Sequence, residues 1–229
     1  MNIIITGAST GIGYETAKLL SEKHSVISIS RHADKNKLKG VIPIPFDLEK
    51  GNIKKDLLPQ IKKHFNKADV LINNAATFIK KPFADLTPQD FEKIFRINVF
   101  AAAELTRCIL SFMSFSAPNS SPTKSHILNI ASMGGIQGSV KFPGLSAYSS
   151  SKGALITLTE CLAEEHKHKN ISFNALAFGA VQTDMLEKAF PGFKAPMTAA
   201  EAALFAADFA VNGQKYFNGK VLQMSLSTP

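Results

Sequence analysis

One recurrence narrows the fold more than any single motif: short runs of consecutive apolar or small residues return along the whole chain, separated by longer amphipathic stretches. The runs are Asn2–Thr6, Ser25–Ser30, Val41–Phe46, Val70–Asn73, Ser125–Ala131, Ser172–Ala177 and Lys220–Ser225. They do not alternate polar with apolar, as a strand with one wet face does. A run that is apolar on both sides suits a strand covered on both faces. Helical periodicity fills the intervals at Ile12–Ser21, Ile53–His64, Pro88–Phe115, Ala147–His168 and Ala199–Ala210. Two helix starts are marked by "TPQD" at 87–90 and "TAAE" at 198–201, each with Thr at the cap and an acid three residues on. The alternation predicts an α/β chain with a doubly wound parallel sheet of about seven strands and helices on both faces.

With 229 residues, 45% hydrophobic and 19% charged, the chain is expected to build one domain, 1–229, around a large core. No apolar run is long enough to cross a bilayer, and the sequence opens in a strand without a basic leader, so a cytoplasmic protein is expected. Cys108 and Cys161 fall in helical apolar patterns and are expected to be buried free thiols. The net charge of +8 comes from lysines in stretches such as "KGNIKKDLLPQIKKHFNK", without interleaved aromatics, so nucleic acid is not an expected partner. A positive surface can instead steer an anionic cofactor or an acidic carrier. His166 and His168 lack further ligands at suitable spacing, and no metal is expected. The polar stretch "SAPNSSPTK" at 116–124 is expected to be a loop without function.

Ligands of such sheets bind at the carboxyl ends of the strands. "IIITGASTGIG" puts Gly7, Gly11 and Gly13 at a strand-to-helix turn, where a pyrophosphate can approach the backbone and meet helix amides. A glycine-rich turn used only for packing is the alternative. "AYSSSKGAL" puts Tyr148 and Lys152 one helical turn apart.

Together these segments resemble the short-chain dehydrogenase/reductase family. "TGASTGIG" resembles its cofactor loop, which implies contacts from Gly7, Ser9, Thr10, Gly11, Ile12 and Gly13. "NNAA", Asn73–Ala76, resembles the motif closing its fourth strand, with Asn74 and Ala75 beside the cofactor. Asn98, Ser132, Tyr148 and Lys152 fall in the order and approximate spacing of its catalytic tetrad. "NALAFGAVQTDM" resembles N-x-x-x-P-G-x-V-x-T at Asn174, Gly179, Val181 and Thr183, with Phe178 in place of proline. The matching motifs run from residue 3 to 183. The resemblance implies a Rossmann-type fold, hydride exchange between a nicotinamide and a carbonyl/alcohol pair, and a homodimer or homotetramer seamed through the helices carrying Asn98 and Tyr148.

Cofactor choice should turn on Ser30–Arg31, which ends the second apolar run where NAD-preferring relatives carry an acid. A guanidinium there can fork onto a 2′-phosphate, so NADP(H) is expected over NAD(H); a merely solvated Arg31 is the alternative. Asp47 resembles the family acid at the adenine, with Leu48 packed beside it, though Asp47 suits a helix cap equally.

In the tetrad, Tyr148 would exchange a proton with the substrate oxygen. A phenol ordinarily ionises near pH 10 (roughly), and one ammonium about 4 Å away contributes on the order of 4 kcal/mol at an effective dielectric of about 20. Lys152 is therefore expected to lower the phenol's pKa and to bind the nicotinamide ribose. Ser132 would donate to the substrate oxygen; Ser139 and Ser146 are weaker candidates. Small Ser149, Ser150 and Ser151 would let the helix approach closely. The family's equivalent of Asn98 bends its helix and holds a water behind the lysine. The sixteen-residue step from Ser132 to Tyr148 suggests extra loop in "GSVKFPGL", and a short lid near 184–197 carries Met185, Leu186, Phe190 and Phe193. The expected protein is an NADP(H)-dependent oxidoreductase, with a 3-oxoacyl thioester on an acyl carrier protein among the substrates. A non-catalytic dinucleotide-binding redox sensor or assembly protein is the alternative.

Overall fold

The computed structural model describes residues 1–35, 38–113 and 124–226. A seven-stranded sheet runs in the order β3-β2-β1-β4-β5-β6-β9, every pair parallel. Its strands are β1 (Asn2–Thr6), β2 (Ser25–Ser30), β3 (Val41–Pro45), β4 (Val70–Asn73), β5 (Ser125–Ser132), β6 (Ile171–Phe178) and β9 (Lys220–Met224). A separate two-residue ladder joins β7 (Val181–Gln182) to β8 (Met197–Thr198).

The helices are α1 (Gly11–Ser21), α2 (Leu58–His64), α3 (Pro88–Phe95), α4 (Ala101–Leu110), α5 (Ser146–Glu165), α6 (Asp184–Ala189) and α7 (Ala199–Asn212). Because successive strand side chains point to opposite faces, β1 feeds two cores. Ile3 and Ile5 pack with Val26, Ile72 and Leu128 beneath α1 and α7, and Ile4 packs with Ile27, Leu71 and Ile127 beneath α2, α4 and α5. Both layers are dry, which explains why the strands read as unbroken apolar runs. The chain winds from β1 outward to β3, then crosses back to β4 on the other side of β1. That reversal opens a crevice beyond the carboxyl ends of β1 and β4.

The expected continuous helix Pro88–Phe115 is divided. α3 begins at a capping box between Thr87 and Asp90, and a single π-helical turn, Arg96–Phe100, separates it from α4. Residues 114 and 115 lie outside the described residues, as do 116–123 of the polar stretch. A π turn widens the spiral locally, and here it carries Asn98 into the polar contacts described below. A second π turn, Ile53–Leu57, capped by the Asn52 side chain, precedes α2.

One expectation about side chains is corrected. Cys108 is buried, but Cys161 is exposed, because it sits on the outer face of α5, whose inner face carries Leu155, Thr159 and Ala163. His166, at the end of α5, has a buried ring 5.4 Å from that of Phe173, with Nδ1 3.2 Å from the Leu162 carbonyl oxygen.

Candidate active site

A cleft of about 870 Å³ lies over the crevice. Its lining includes Gly7, Ser9, Thr10, Gly11, Ile12 and Gly13 from the β1–α1 turn, Arg31 after β2, and Asp47 and Leu48 after β3. Asn74 and Ala75 follow β4, Ser132 ends β5, Tyr148 and Lys152 come from α5, and Gly179, Val181 and Thr183 follow β6. Asn98 is not among the lining residues; it stands one layer behind.

The nucleotide end is shaped by backbone. Gly7 and Gly11 have φ of 68° and 61°, the left-handed region that side chains avoid. A Cβ on Gly7 would lie 2.7 Å from Ala75 Cα, and one on Gly13 would lie 2.3 Å from Asn74 Nδ2. Asn74 braces the turn by donating to the carbonyls of Thr6 and Gly7, each at 3.0 Å, while Thr6 Oγ1 accepts from the amides of Asn74 and Ala75. The Thr10 side chain makes no cap hydrogen bond and the first turn of α1 holds no acid, so the amides there face the cleft without a competing anion. Ser30 Oγ is buried at the end of β2 with no hydrogen-bond partner among the described residues, beside exposed Arg31. A glycine cradle, an uncapped helix start and an orphaned hydroxyl fit the phosphates and ribose of a dinucleotide. Asp47 does not cap a helix: its Oδ1 accepts from the Glu49 amide at 2.8 Å in a local turn, and the helical segment that follows is capped by Asn52.

The catalytic end is set by α5. Lys152 is 2% exposed, and its Nζ donates to the Ile130 carbonyl oxygen at 2.7 Å. Desolvation lowers its pKa to about 8. Tyr148 is half-buried, with the Lys152 nitrogen 5.9 Å from its ring centroid. Its pKa is raised, first by desolvation, while the hydrogen bond from Ser132 acts in the opposite direction. The expected acidified phenol is therefore not a property of the protein residues alone. The ammonium points to the strand carbonyl, and burial dominates the hydroxyl. Ser132 Oγ accepts from the Gly134 amide at 3.2 Å, which leaves its own proton for the phenol.

Asn98 is 1% exposed and clasps the chain after β4. Its Oδ1 accepts from Thr77 N at 2.8 Å, and its Nδ2 donates to Thr77 O at 3.0 Å and to Ser151 Oγ at 2.9 Å. Ser151 is thus also a hydrogen-bond partner. Gly134 and Gly135 contribute to the close approach of α5 from the other side. A Cβ on Gly134 would lie 2.9 Å from Ser149 Oγ, and one on Gly135 would lie 2.7 Å from the Lys152 carbonyl carbon. The sequence signal was the pair in "SMGGI", next to Ser132. The weaker candidates stand apart from the cleft lining: Ser139 Oγ is bonded to the Met133 and Ile136 carbonyls, and Ser146 Oγ is buried without a partner.

Phe178, in the proline position, ends β6 opposite Ser132 and Met224 and is buried. Gly179 makes the turn that follows: its amide donates to the Met224 carbonyl at 2.8 Å, and a Cβ there would lie 2.4 Å from Ser225 Oγ. Met185, Leu186, Phe190 and Phe193 line the substrate side, with Val140 and Phe142 from the "GSVKFPGL" loop facing them.

The parallel sheet with its cleft at the switch point makes this a Rossmann-type α/β protein. The chain matches the short chain dehydrogenase family over residues 1–192, and it belongs to that family, a group of NAD(P)-dependent oxidoreductases. It is similar to the ketoacyl reductase HetN of Nostoc sp., 34% identical over an alignment of length 194 that covers 80% of this chain and 64% of that protein. It is also similar to carbonyl reductase [NADPH] 2 of Sus scrofa, 30% identical over 81% of this chain and 73% of the relative. The chain thus spans just under two thirds of HetN and nearly three quarters of the porcine enzyme. Among solved structures, the RhlG/NADP complex of Pseudomonas aeruginosa shares the fold with a TM-score of 0.86 at 24% identity, covering 98% of this chain and 94% of that one. No helix among the described residues is long and apolar enough to cross a membrane.

Proposed function

We propose that the protein is an NADP(H)-dependent carbonyl reductase whose proton donor is Tyr148. The observation that carries this reading is the convergence of Ser132, Tyr148 and Lys152 on one wall of the cleft that also holds the glycine turn. When bound, the dinucleotide supplies the hydride. Tyr148, kept protonated by desolvation, gives its proton to the substrate oxygen during reduction and takes it back during oxidation. Ser132 donates to the same oxygen and stabilises its developing charge. Lys152, 5.9 Å from the phenol ring, would hold the nicotinamide ribose, while Asn98 fixes the loop after β4 against α5. Val181 and Thr183, with Gly179 beside them in the cleft lining, would hold the nicotinamide carboxamide. Arg31 favours the 2′-phosphate of NADP, and the absence of an acid at the end of β2 leaves it unopposed.

For the substrate, the apolar wall of Met185, Leu186 and Phe190 and the net charge of +8 favour a 3-oxoacyl thioester on an acidic carrier. HetN, a ketoacyl reductase by name, supports the same class. Assembly through the α4 and α5 faces would cover Phe100, which is 49% exposed.

NADPH oxidation is to be measured with acetoacetyl-CoA, an aryl ketone, an aldehyde and a sugar, for wild type and Tyr148→Phe. Reduction of at least one carbonyl, lost by about 100- to 10,000-fold in the variant, is expected. Tight NADPH binding with no turnover would replace this reading with the non-catalytic binder.

A further inference from the structure

Lys80 joins three separate borders of the substrate side. It lies in the segment after β4, and its Nζ donates to the Ala189 carbonyl oxygen, the last residue of α6, at 2.7 Å. The same nitrogen stands 4.2 Å from the centroid of the Phe190 ring. Both contacts suit a cation, since the final carbonyls of a helix lack amide partners and carry partial negative charge, and an aromatic face attracts an ammonium.

The other end of Lys80 is seated just as closely. Gly144, with φ of 83°, would place a Cβ 3.2 Å from Lys80 Cγ, and the Lys81 amide donates to the Gly144 carbonyl at 3.0 Å. The loop ending at Gly144 carries Phe142, whose ring meets that of Phe190 edge-on at 5.5 Å. Phe190 in turn meets Phe193 at 6.5 Å. Phe142 and Phe193 are 53% and 48% exposed, and all three rings line the cleft. The base of the lid is tied separately, by the β7–β8 ladder and by the Ala195 amide donating to Gln182 Oε1 at 2.8 Å. Its α6 end is reached from the β4 side by Lys80.

We infer that Lys80 is a lid latch and a positioning residue: it holds α6 and Phe190 down over the substrate end of the cleft and couples them to the 138–145 loop. The latch sets how tightly a carbonyl substrate is enclosed, leaving the proton-transfer groups untouched. Its kinetic consequence rests on the proposed reductase activity, whereas its mechanical consequence does not.

The test compares wild type with Lys80→Met, which keeps an apolar stem without charge, and Lys80→Arg, which keeps the cation. Trypsin cleavage after Lys188 and Lys194, both exposed and both in the lid, reads the latch without any substrate. Cleavage there should be about tenfold faster in Lys80→Met and near the wild-type rate in Lys80→Arg. With acetoacetyl-CoA as probe, KM should rise by about three- to tenfold in Lys80→Met while kcat and NADPH affinity stay within about twofold. Equal cleavage rates in wild type and Lys80→Met overturn the latch, whatever the kinetics show. Faster cleavage with an unchanged KM overturns its role in enclosing substrate. A wild type that does not turn over the thioester sinks the reductase reading for that substrate and leaves the cleavage result to decide the latch.

Discussion

Lys152 Nζ donates to the Ile130 carbonyl at 2.7 Å and lies 5.9 Å from the Tyr148 ring centroid, so the ammonium is anchored to the sheet before it can serve the phenol. With burial lowering the lysine to about 8 and raising the phenol, the protein by itself favours an acid at Tyr148, not a base. That direction sets a pH dependence. Below pH 8 (about), Lys152 is charged and Tyr148 protonated, the pair that reduction needs; as pH rises through about 8, the lysine loses its charge. Reductive kcat/KM should therefore be flat from about pH 6 to 7.5 and fall above about 8, while the oxidative rate rises with pH. A reductive profile climbing towards alkaline pH would contradict this assignment.

Gly13 offers a sharper steric test of the nucleotide end. A Cβ there would stand 2.3 Å from Asn74 Nδ2 and 2.6 Å from the Gly7 carbonyl oxygen. The chain must move either the β1–α1 turn or Asn74, and both brace the same cradle. Gly13→Ala should weaken NADPH binding by more than about tenfold while retaining the far-ultraviolet circular dichroism of the wild type. Gly138→Ala, where a Cβ would meet nothing within 4 Å, is the control for the substitution itself; its left-handed backbone should cost only a modest amount of stability.

Arg31 is exposed at the cleft rim next to the buried, unpartnered Ser30 Oγ. An exposed charge binds a phosphate less strongly than a buried one, yet a charge-assisted bond still contributes about 1.5–3 kcal/mol. Arg31→Ala should raise the Kd for NADPH by about ten- to a hundredfold and leave that for NADH within about twofold. Fluorescence titration with both cofactors measures this directly. An unaltered NADPH affinity would leave Arg31 as a solvated loop residue.

Much of this arrangement was legible in the residues. Dry strands betrayed themselves as unbroken apolar runs because both faces of the sheet are covered, and Gly7 and Gly13 stood where an added Cβ would lie within 3 Å of the segment after β4. What local sequence could not express was the direction of a long side chain. Nothing within reach of Lys152 along the chain reveals that the Ile130 carbonyl, twenty-two residues earlier, accepts its hydrogen bond. Lys80 carries no local sign of its contact because its partner, Ala189, is 109 residues away. The break at Arg96–Phe100 was signalled by the family resemblance at Asn98 and not by the apolar periodicity, because Asn98 answers to Thr77 and Ser151, which that periodicity does not register. Cys161 was misjudged because α5 packs its other face inward, which the apolar content of the segment does not specify.

His126 supplies a prediction about stability instead of catalysis. It is 0% exposed in β5, with Nδ1 3.0 Å from the Ala210 carbonyl oxygen, to which it donates, and Nε2 accepting from Asn174 Nδ2 at 3.0 Å. Asn174 goes on to bind the Phe217 carbonyl and the Lys220 amide, so one neutral imidazole ties β5, β6, α7 and β9 together. No acid takes part in these contacts, and the Phe209 ring packs 5.6 Å away. Burial lowers the histidine from 6.5 to about 4. Because the folded pKa is depressed, the unfolded chain takes up the proton first as pH falls below 6.5 (roughly), and the folded state loses stability until both forms are charged near pH 4. The displacement corresponds to a loss of about 3 kcal/mol across that window. Urea melts at closely spaced pH values should show the midpoint falling between about pH 6.5 and 4. In His126→Gln, which keeps an acceptor for Asn174 but cannot titrate, that histidine-linked part of the fall should vanish even if the variant is less stable at pH 7 (about). If both proteins lose stability in parallel, the acid sensitivity arises elsewhere and His126 is a spectator.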